Sequence, residues 1–241
     1  NEPRIAMRDV TLNIIREEMA KSEDIAIRYA NKQARISNYW KNSIGMNKAI
    51  VDNKVVETKL AEEAAFLAWA KQIGNKEYMN IVKDINACVQ EMNRTAYLQT
   101  VITELISNVE FIQRNLSDNS KSMFNDPSVI NDQMSNIYYW LHNRDYNHAI
   151  DLRIAKEVLP LYFELTEENE RPAYLNEIYA KYKGDLGKYL DMVYAKSILA
   201  NKKNFDKFMK KPTQKAYEAD PAYKLRYAVF TSYQEIMAIQ F

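Results

Sequence analysis

The run Ala49-Ile50-Val51-Asp52-Asn53-Lys54-Val55-Val56-Glu57-Thr58-Lys59-Leu60-Ala61-Glu62-Glu63-Ala64-Ala65-Phe66-Leu67-Ala68-Trp69-Ala70-Lys71-Gln72-Ile73 carries the strongest helical signal in the chain. Val51, Val55, Val56, Leu60, Ala64, Leu67 and Ala68 form an apolar stripe at helical spacing. Glu57, Lys59, Glu62, Glu63 and Lys71 fall mainly elsewhere on the wheel. Gly74 follows the last apolar residue, where a helix stop belongs. Asn75 then caps a helix expected over Lys76 to about Leu116, with Met79, Val82, Ile85, Val89, Met92, Ala96, Val101, Leu105, Val109 and Ile112 as its buried stripe. A helix of that length bends or breaks, and Asn93 is the expected place.

The pattern extends in both directions. Upstream, a helix is expected from Pro3 to about Lys21, and Ser22 caps a second with Glu23 and Asp24 in its first turn. Ile25, Tyr29, Ile36, Tyr39 and Trp40 carry that helix forward until Gly45, which interrupts the pattern. Downstream, Ser117 to Pro127 reads as a loop. Further helices are expected at Ser128–Asn143, Asp145–Leu165 with a kink at Pro160, Ala173–Lys183 ended by Gly184, Leu186–Asn201 and Tyr223–Phe241. With only 4 glycines and 6 prolines in 241 residues, the chain lacks the turns of an all-β fold. The expected fold is all-α, a multi-helix bundle.

Charge excludes some functions. The chain has 33 basic and 32 acidic residues, a net charge of +1, which gives no electrostatic argument for nucleic acid or an anionic membrane. Lys202, Lys203, Lys207, Lys210, Lys211 and Lys215 read as a solvated helix face. No run of 18 apolar residues occurs, so no span of a membrane is expected. The single cysteine, Cys88, excludes an internal disulfide, and its spacing from Ile81 and Met92 predicts a buried, inert thiol. The chain opens Asn-Glu-Pro-Arg, with neither Met nor a signal peptide, and reads as a segment cut from something longer.

The motifs of self-sufficient catalysis are missing. There is no Gly-x-Ser-x-Gly, no His-Glu-x-x-His and no paired Glu-x-x-His. His142 and His148 have no neighbouring nucleophile in a recognisable setting. Gly184-Asp185-Leu186-Gly187 follows no strand, so it reads as a helix connection rather than a phosphate loop. No catalytic residue, metal or cofactor is expected. The 17 tyrosines exceed what a core needs and suggest helix edges or a cleft rim. They raise one alternative, a stand-alone helical protein-interaction module with a Tyr-rich binding face.

One stretch stands apart: Arg35-Ile36-Ser37-Asn38-Tyr39-Trp40-Lys41-Asn42-Ser43-Ile44-Gly45-Met46. Periodicity alone favours a buried aromatic patch with Asn38 at the helix edge. The other reading is that its polar side chains face a ligand, since an asparagine carbonyl accepts a hydrogen bond from an ammonium without adding charge.

The run Ile36 to Met46 resembles a signature of the bacterial dipeptidyl-peptidase 7 and 11 family, exopeptidases with a chymotrypsin-like double β-barrel. Arg28-Tyr29-Ala30, Ala61-Glu62-Glu63-Ala64 with Phe66 and Trp69, and Tyr182-Lys183-Gly184-Asp185 with Lys188-Tyr189 extend the resemblance over most of the chain. It implies that residues 1–241 are a single α-helical regulatory or capping domain, inserted in a larger peptidase and with its termini close together. The barrel, absent here, would carry the His-Asp-Ser triad, so the isolated chain would be inactive. The helical domain would close over the active-site cleft, and Asn38 would help to hold the N-terminal amine of the peptide substrate. Ser37, Trp40, Lys41 and Gly45 are possible supports. The implied partners are peptide substrates together with the catalytic domain, in a parent enzyme that is a homodimer. The implied location is the periplasm or cell surface of a Gram-negative bacterium. The residue that selects the side chain next to the cut would belong to the barrel, so this segment does not separate acidic from hydrophobic preference, although its overall character leans slightly towards the acidic-specific branch.

Overall fold

A computed structural model describes residues 2–51, 54–115, 118–143 and 145–239. All regular structure among them is helical: α1 Glu2–Lys21, α2 Glu23–Val51, α3 Lys54–Gln72, α4 Lys76–Asn108, α5 Glu110–Gln113, α6 Pro127–His142, α7 His148–Glu164, α8 Ala173–Lys181, α9 Leu186–Lys196, α10 Lys202–Met209, α11 Gln214–Glu218 and α12 Pro221–Ile239. Short 3-10 turns at Asp118–Asn125 and Glu168–Glu170 complete it. The all-α expectation holds.

The second half of α4 is the centre of the core. Leu98, Val101, Ile102 and Leu105 are buried there, and α1, α7 and α12 pack around them. Leu12 and Ile15 come from α1, Ile154 and Val158 from α7, Leu190 and Val193 from α9, and Leu225 and Val229 from α12. Burial of such side chains stabilises the fold by about 1.5–3 kcal/mol each. Polar ties fix the connections. Arg94 on α4 donates to the Leu165 carbonyl at 2.8 Å and to both oxygens of Glu170 at 3.0 and 2.6 Å.

The first half of α4 behaves differently. It pairs with α3 as a projecting helical hairpin. Gly74 makes the turn with φ +65°, the left-handed conformation that glycine adopts at no steric cost. The Asn75 side chain then accepts from Tyr78 N at 3.2 Å to start α4. Among the described apolar residues from Glu57 to Met92, only Ala70 and Val82 are buried. Met79, Ile85, Val89 and Met92 were expected in the core, yet all are exposed, Met92 by 70%. Cys88 is exposed as well, contrary to the buried thiol expected. Periodicity reports which residues share a face. It does not report whether anything lies against that face.

Other expectations are corrected by local physics. Gly45 does not end α2, which runs on to Val51; an interior glycine costs only about 0.5–1 kcal/mol relative to alanine. The long helix is not broken at Asn93. It stops at Asn108, Val109 turns extended (φ −86°, ψ 96°), and α5 restarts at Glu110. The segment expected as loop between Ser117 and Pro127 is a 3-10 turn over Asp118–Asn125. The helix expected over Leu186–Asn201 ends at Lys196, and α10 begins at Lys202. Pro160 sits inside α7. The expected meeting of the two termini involves Asn1, Gln240 and Phe241, which lie outside the described residues. No helix among the described residues is long and apolar enough to cross a membrane.

Candidate functional site

Asn31, Arg35 and Asn38 stand at i, i+4 and i+7 on α2, so they share one stripe of the helix. All three are exposed. Asn31 and Arg35 form part of one wall of a cleft of about 440 Å³, together with Arg28, Tyr29 and Lys32. Glu110, Gln113 and Arg114 at α5 form a second wall, and Trp140, Asn143, Asp145 and Tyr146 at the α6–α7 turn form the third. Arg35 and Gln113 also border a smaller hollow of about 310 Å³ that contains Thr103, Glu104, Ser107 and Asn108. Asn38 therefore lies three residues beyond Arg35, the residue the two hollows share on that stripe.

The cleft is held rigidly from below. Asp151, at 1% exposure, accepts from the backbone N–H groups of Glu110 and Phe111 at 2.7 and 3.0 Å. The Tyr194 hydroxyl donates to it at 2.7 Å and the Tyr146 hydroxyl at 3.4 Å. Asp151 thus caps α5 from another helix, and this explains the break at Val109. At the other end of α5, Arg226 donates to the carbonyls of Ile112 and Gln113 at 3.0 and 2.5 Å. A carboxylate at the N-terminus and a guanidinium at the C-terminus both match the helix dipole. Lys32 crosses from α2 to this joint, 2.8 Å from the Glu110 carboxylate and 3.2 Å from the Asn108 carbonyl. Burial raises the pKa of Tyr29, Tyr146 and Tyr194, with the nearby Asp151 and Glu110 adding to the effect. The Tyr146 and Tyr194 hydroxyls stay protonated and donate to Asp151. The α6–α7 turn is set by Asn143, whose side-chain oxygen accepts from Asp145 N at 2.8 Å and Tyr146 N at 3.2 Å.

The other residues singled out from the sequence are placed as follows. Ser37 accepts from Arg16 of α1 at 3.5 Å, which makes it a brace between α1 and α2. Trp40, Lys41 and Gly45 have helical backbone, and the side chains of Trp40 and Lys41 lie outside the described residues. His142 Nε2 is 2.9 Å from the Leu199 carbonyl, and its ring stacks on Tyr138 at 4.1 Å. His148 meets Tyr194 edge-on at 5.1 Å. Among the described residues no cluster of His, Cys, Asp or Glu could hold a metal ion. Sequence reasoning missed Lys32, Glu110, Arg114, Trp140 and Asp151. The spacing Asn31–Arg35–Asn38 was available as a local signal. The joining of α2 to α5 and of α5 to α7 was not, because the partners are about 80 and 40 residues apart in the chain.

The arrangement defines an all-helical body with a rigid, polar, cation-rich cleft and an exposed amide beside it. The chain belongs to the peptidase S46 family, whose sequence profile matches residues 1–240. It is 44% identical over 230 residues to a dipeptidyl-peptidase 7 from Phocaeicola vulgatus, covering 92% of this chain and 32% of that protein. It is 27% identical over 243 residues to an Asp/Glu-specific dipeptidyl-peptidase from Porphyromonas gingivalis, covering 98% and 34%. The crystal structure of Porphyromonas endodontalis DPP11 in complex with the dipeptide Arg-Glu superposes with a TM-score of 0.70 at 27% identity, over 99% of this chain and 35% of that one. The chain thus spans about a third of the length of the relatives it matches.

Proposed function

We propose that this chain is the helical, substrate-capping part of a serine dipeptidyl peptidase, and that Asn38 helps to anchor the N-terminal ammonium of the peptide. The observation that carries this is the exposed Asn38 amide, on the same helical stripe as the cleft wall, in a chain of this family. An exopeptidase that removes two residues must measure from the α-amine. A fixed acceptor for the ammonium sets the register of the scissile bond and excludes longer extensions. The triad belongs to the remainder of the enzyme, which acts as a homodimer in the periplasm or at the cell surface. On side-chain preference, identity favours the relative named dipeptidyl-peptidase 7 over the Asp/Glu-specific one, against the lean of the sequence reading.

The full-length protein should release dipeptides from peptides with a free N-terminus and leave N-acetylated peptides uncut. The isolated chain should cut neither. Equal cleavage of free and acetylated peptides would remove the amine-anchoring role.

The arm supports the same reading. Its exposed apolar stripe is the kind of surface that a larger protein covers. Cys88 lies on that stripe, three residues from Ile85 and four from Met92. An aromatic thiol reagent should modify it within minutes in the isolated chain and far more slowly in the full-length protein. Equal rates in the two would take the arm out of the interface.

A second reading, an interaction module with a Tyr-rich face, draws on one observation. Tyr174, Tyr223 and Tyr227 line a hollow of about 510 Å³ between α8 and α12. A peptide binding there without any peptidase domain in the same gene would favour it.

A further inference from the structure

We propose that the cleft between α2, α5 and the α6–α7 turn binds an oxyanion, a carboxylate or phosphate, between the guanidinium groups of Arg35 and Arg114. This goes beyond the role given to Asn38 and needs neither an ammonium nor catalysis.

The argument starts from the charges that face the cleft. Four cations line it, Arg28, Lys32, Arg35 and Arg114, against two carboxylates, Glu110 and Asp145. Two of the cations are already matched: Arg28 pairs with Asp24 one turn back on α2, and Lys32 pairs with Glu110. Arg35 and Arg114 form no ion pair with any described carboxylate; Asp145 shares their cleft, and Glu104 shares the second hollow with Arg35.

Arg114 is the sharper of the two. Its guanidinium carbon lies 4.9 Å from the centre of the Trp140 ring, so the ring covers one face of the group. Its Nε is buried and has no hydrogen-bond partner among the described residues. Native structures rarely leave such a donor unmet, and an unmet one calls for an explanation. The contact with the ring limits the freedom of the guanidinium, whose fork suits two N–H bonds to one planar oxyanion. The Asn31 and Gln113 amides supply further donors at the same walls. An ammonium placed here would meet two guanidinium groups, so the field separates an anion subsite at Arg35 from the neutral acceptor at Asn38.

Isothermal titration of the full-length protein at constant ionic strength tests this, with inorganic phosphate and acetate as probes. Saturable binding is expected, weakened at least tenfold in Arg114→Gln and in Arg35→Gln. Arg114→Lys, which keeps the charge but loses the fork, should fall between wild type and Arg114→Gln. Asn38→Ala should bind as wild type does, which separates this site from the amine anchor. An N-acetylated tripeptide with a central glutamate, compared with its glutamine analogue, identifies the source of the anion. Glutamate-dependent binding that phosphate displaces assigns the site to peptide carboxylates, and phosphate binding alone assigns it to small anions. No saturable heat with any probe, or undiminished binding in the Arg35→Gln/Arg114→Gln double variant, overturns the proposal.

Discussion

Replacing Asn38 with alanine in the full-length protein should raise the KM for dipeptidyl substrates about ten- to a hundredfold. A hydrogen bond to a charged group contributes about 1.5–3 kcal/mol, and each 1.4 kcal/mol is tenfold in affinity. The ammonium sits two residues from the bond that breaks, so the loss falls on substrate binding more than on the chemical step. Asn38→Asp gives the complementary result. A carboxylate attracts the ammonium more strongly than an amide does, and KM should stay near or below the wild-type value. Asn38→Leu keeps the bulk without the acceptor and should behave like alanine. Wild-type KM in both Asn38→Ala and Asn38→Leu would remove Asn38 from the site. Because Asn38 is exposed, none of these changes disturbs the core, and thermal unfolding should be nearly unaltered.

Asp151→Ala should be the most damaging single change to stability. It leaves two backbone N–H groups and the Tyr194 hydroxyl without their acceptor inside the protein. Each buried donor left without an acceptor costs about 1–3 kcal/mol, and for a chain of this size the sum lowers Tm by roughly 10 °C. Helical circular dichroism measures it. Asp185→Ala is the control. It removes an N-cap bond to Lys188 N at 3.0 Å on an exposed helix start, and should cost only about 1 kcal/mol. Equal losses in the two variants would make Asp151 an ordinary cap.

The same residue sets a pH dependence. Burial pushes the Asp151 carboxyl above the ordinary Asp range, with Lys32, Tyr194 and the two N–H groups pulling the other way. A carboxyl raised in the fold stabilises it below the ordinary value near 3.9, and that contribution is lost as pH rises through the raised value. Asp151→Asn, which cannot ionise, should flatten this part of the profile.

These two residues show how differently fold and site could be read from the sequence. Asn38 was singled out by a local run, Ile36 to Met46, whose resemblance to a family signature marked the amide, whereas periodicity alone favoured a buried aromatic patch. The helices were legible for the same reason, since caps such as Ser22 and Asn75 act within one turn. The break at Val109 was not legible, because the carboxylate that creates it belongs to Asp151, about 40 residues further on. The exposure of Met79, Ile85, Val89 and Met92 was illegible for another reason. An apolar stripe looks the same whether its cover lies elsewhere in the chain or beyond it.

Helix α4 has a mechanical consequence. Its 33 residues make a rod about 50 Å long at 1.5 Å per residue. Leu98 marks where the rod enters the core, leaving roughly 33 Å outside, back to Lys76, and roughly 15 Å inside, on to Asn108. Asn108 is where Lys32 reaches across from the cleft wall. The rod is therefore divided unequally at Leu98. A 5° tilt carries its outer end about 3 Å and its inner end a little over 1 Å at these lengths. Were the rod to turn as one body about Leu98, a displacement of the apolar hairpin would reach the Lys32–Glu110 joint about half as large.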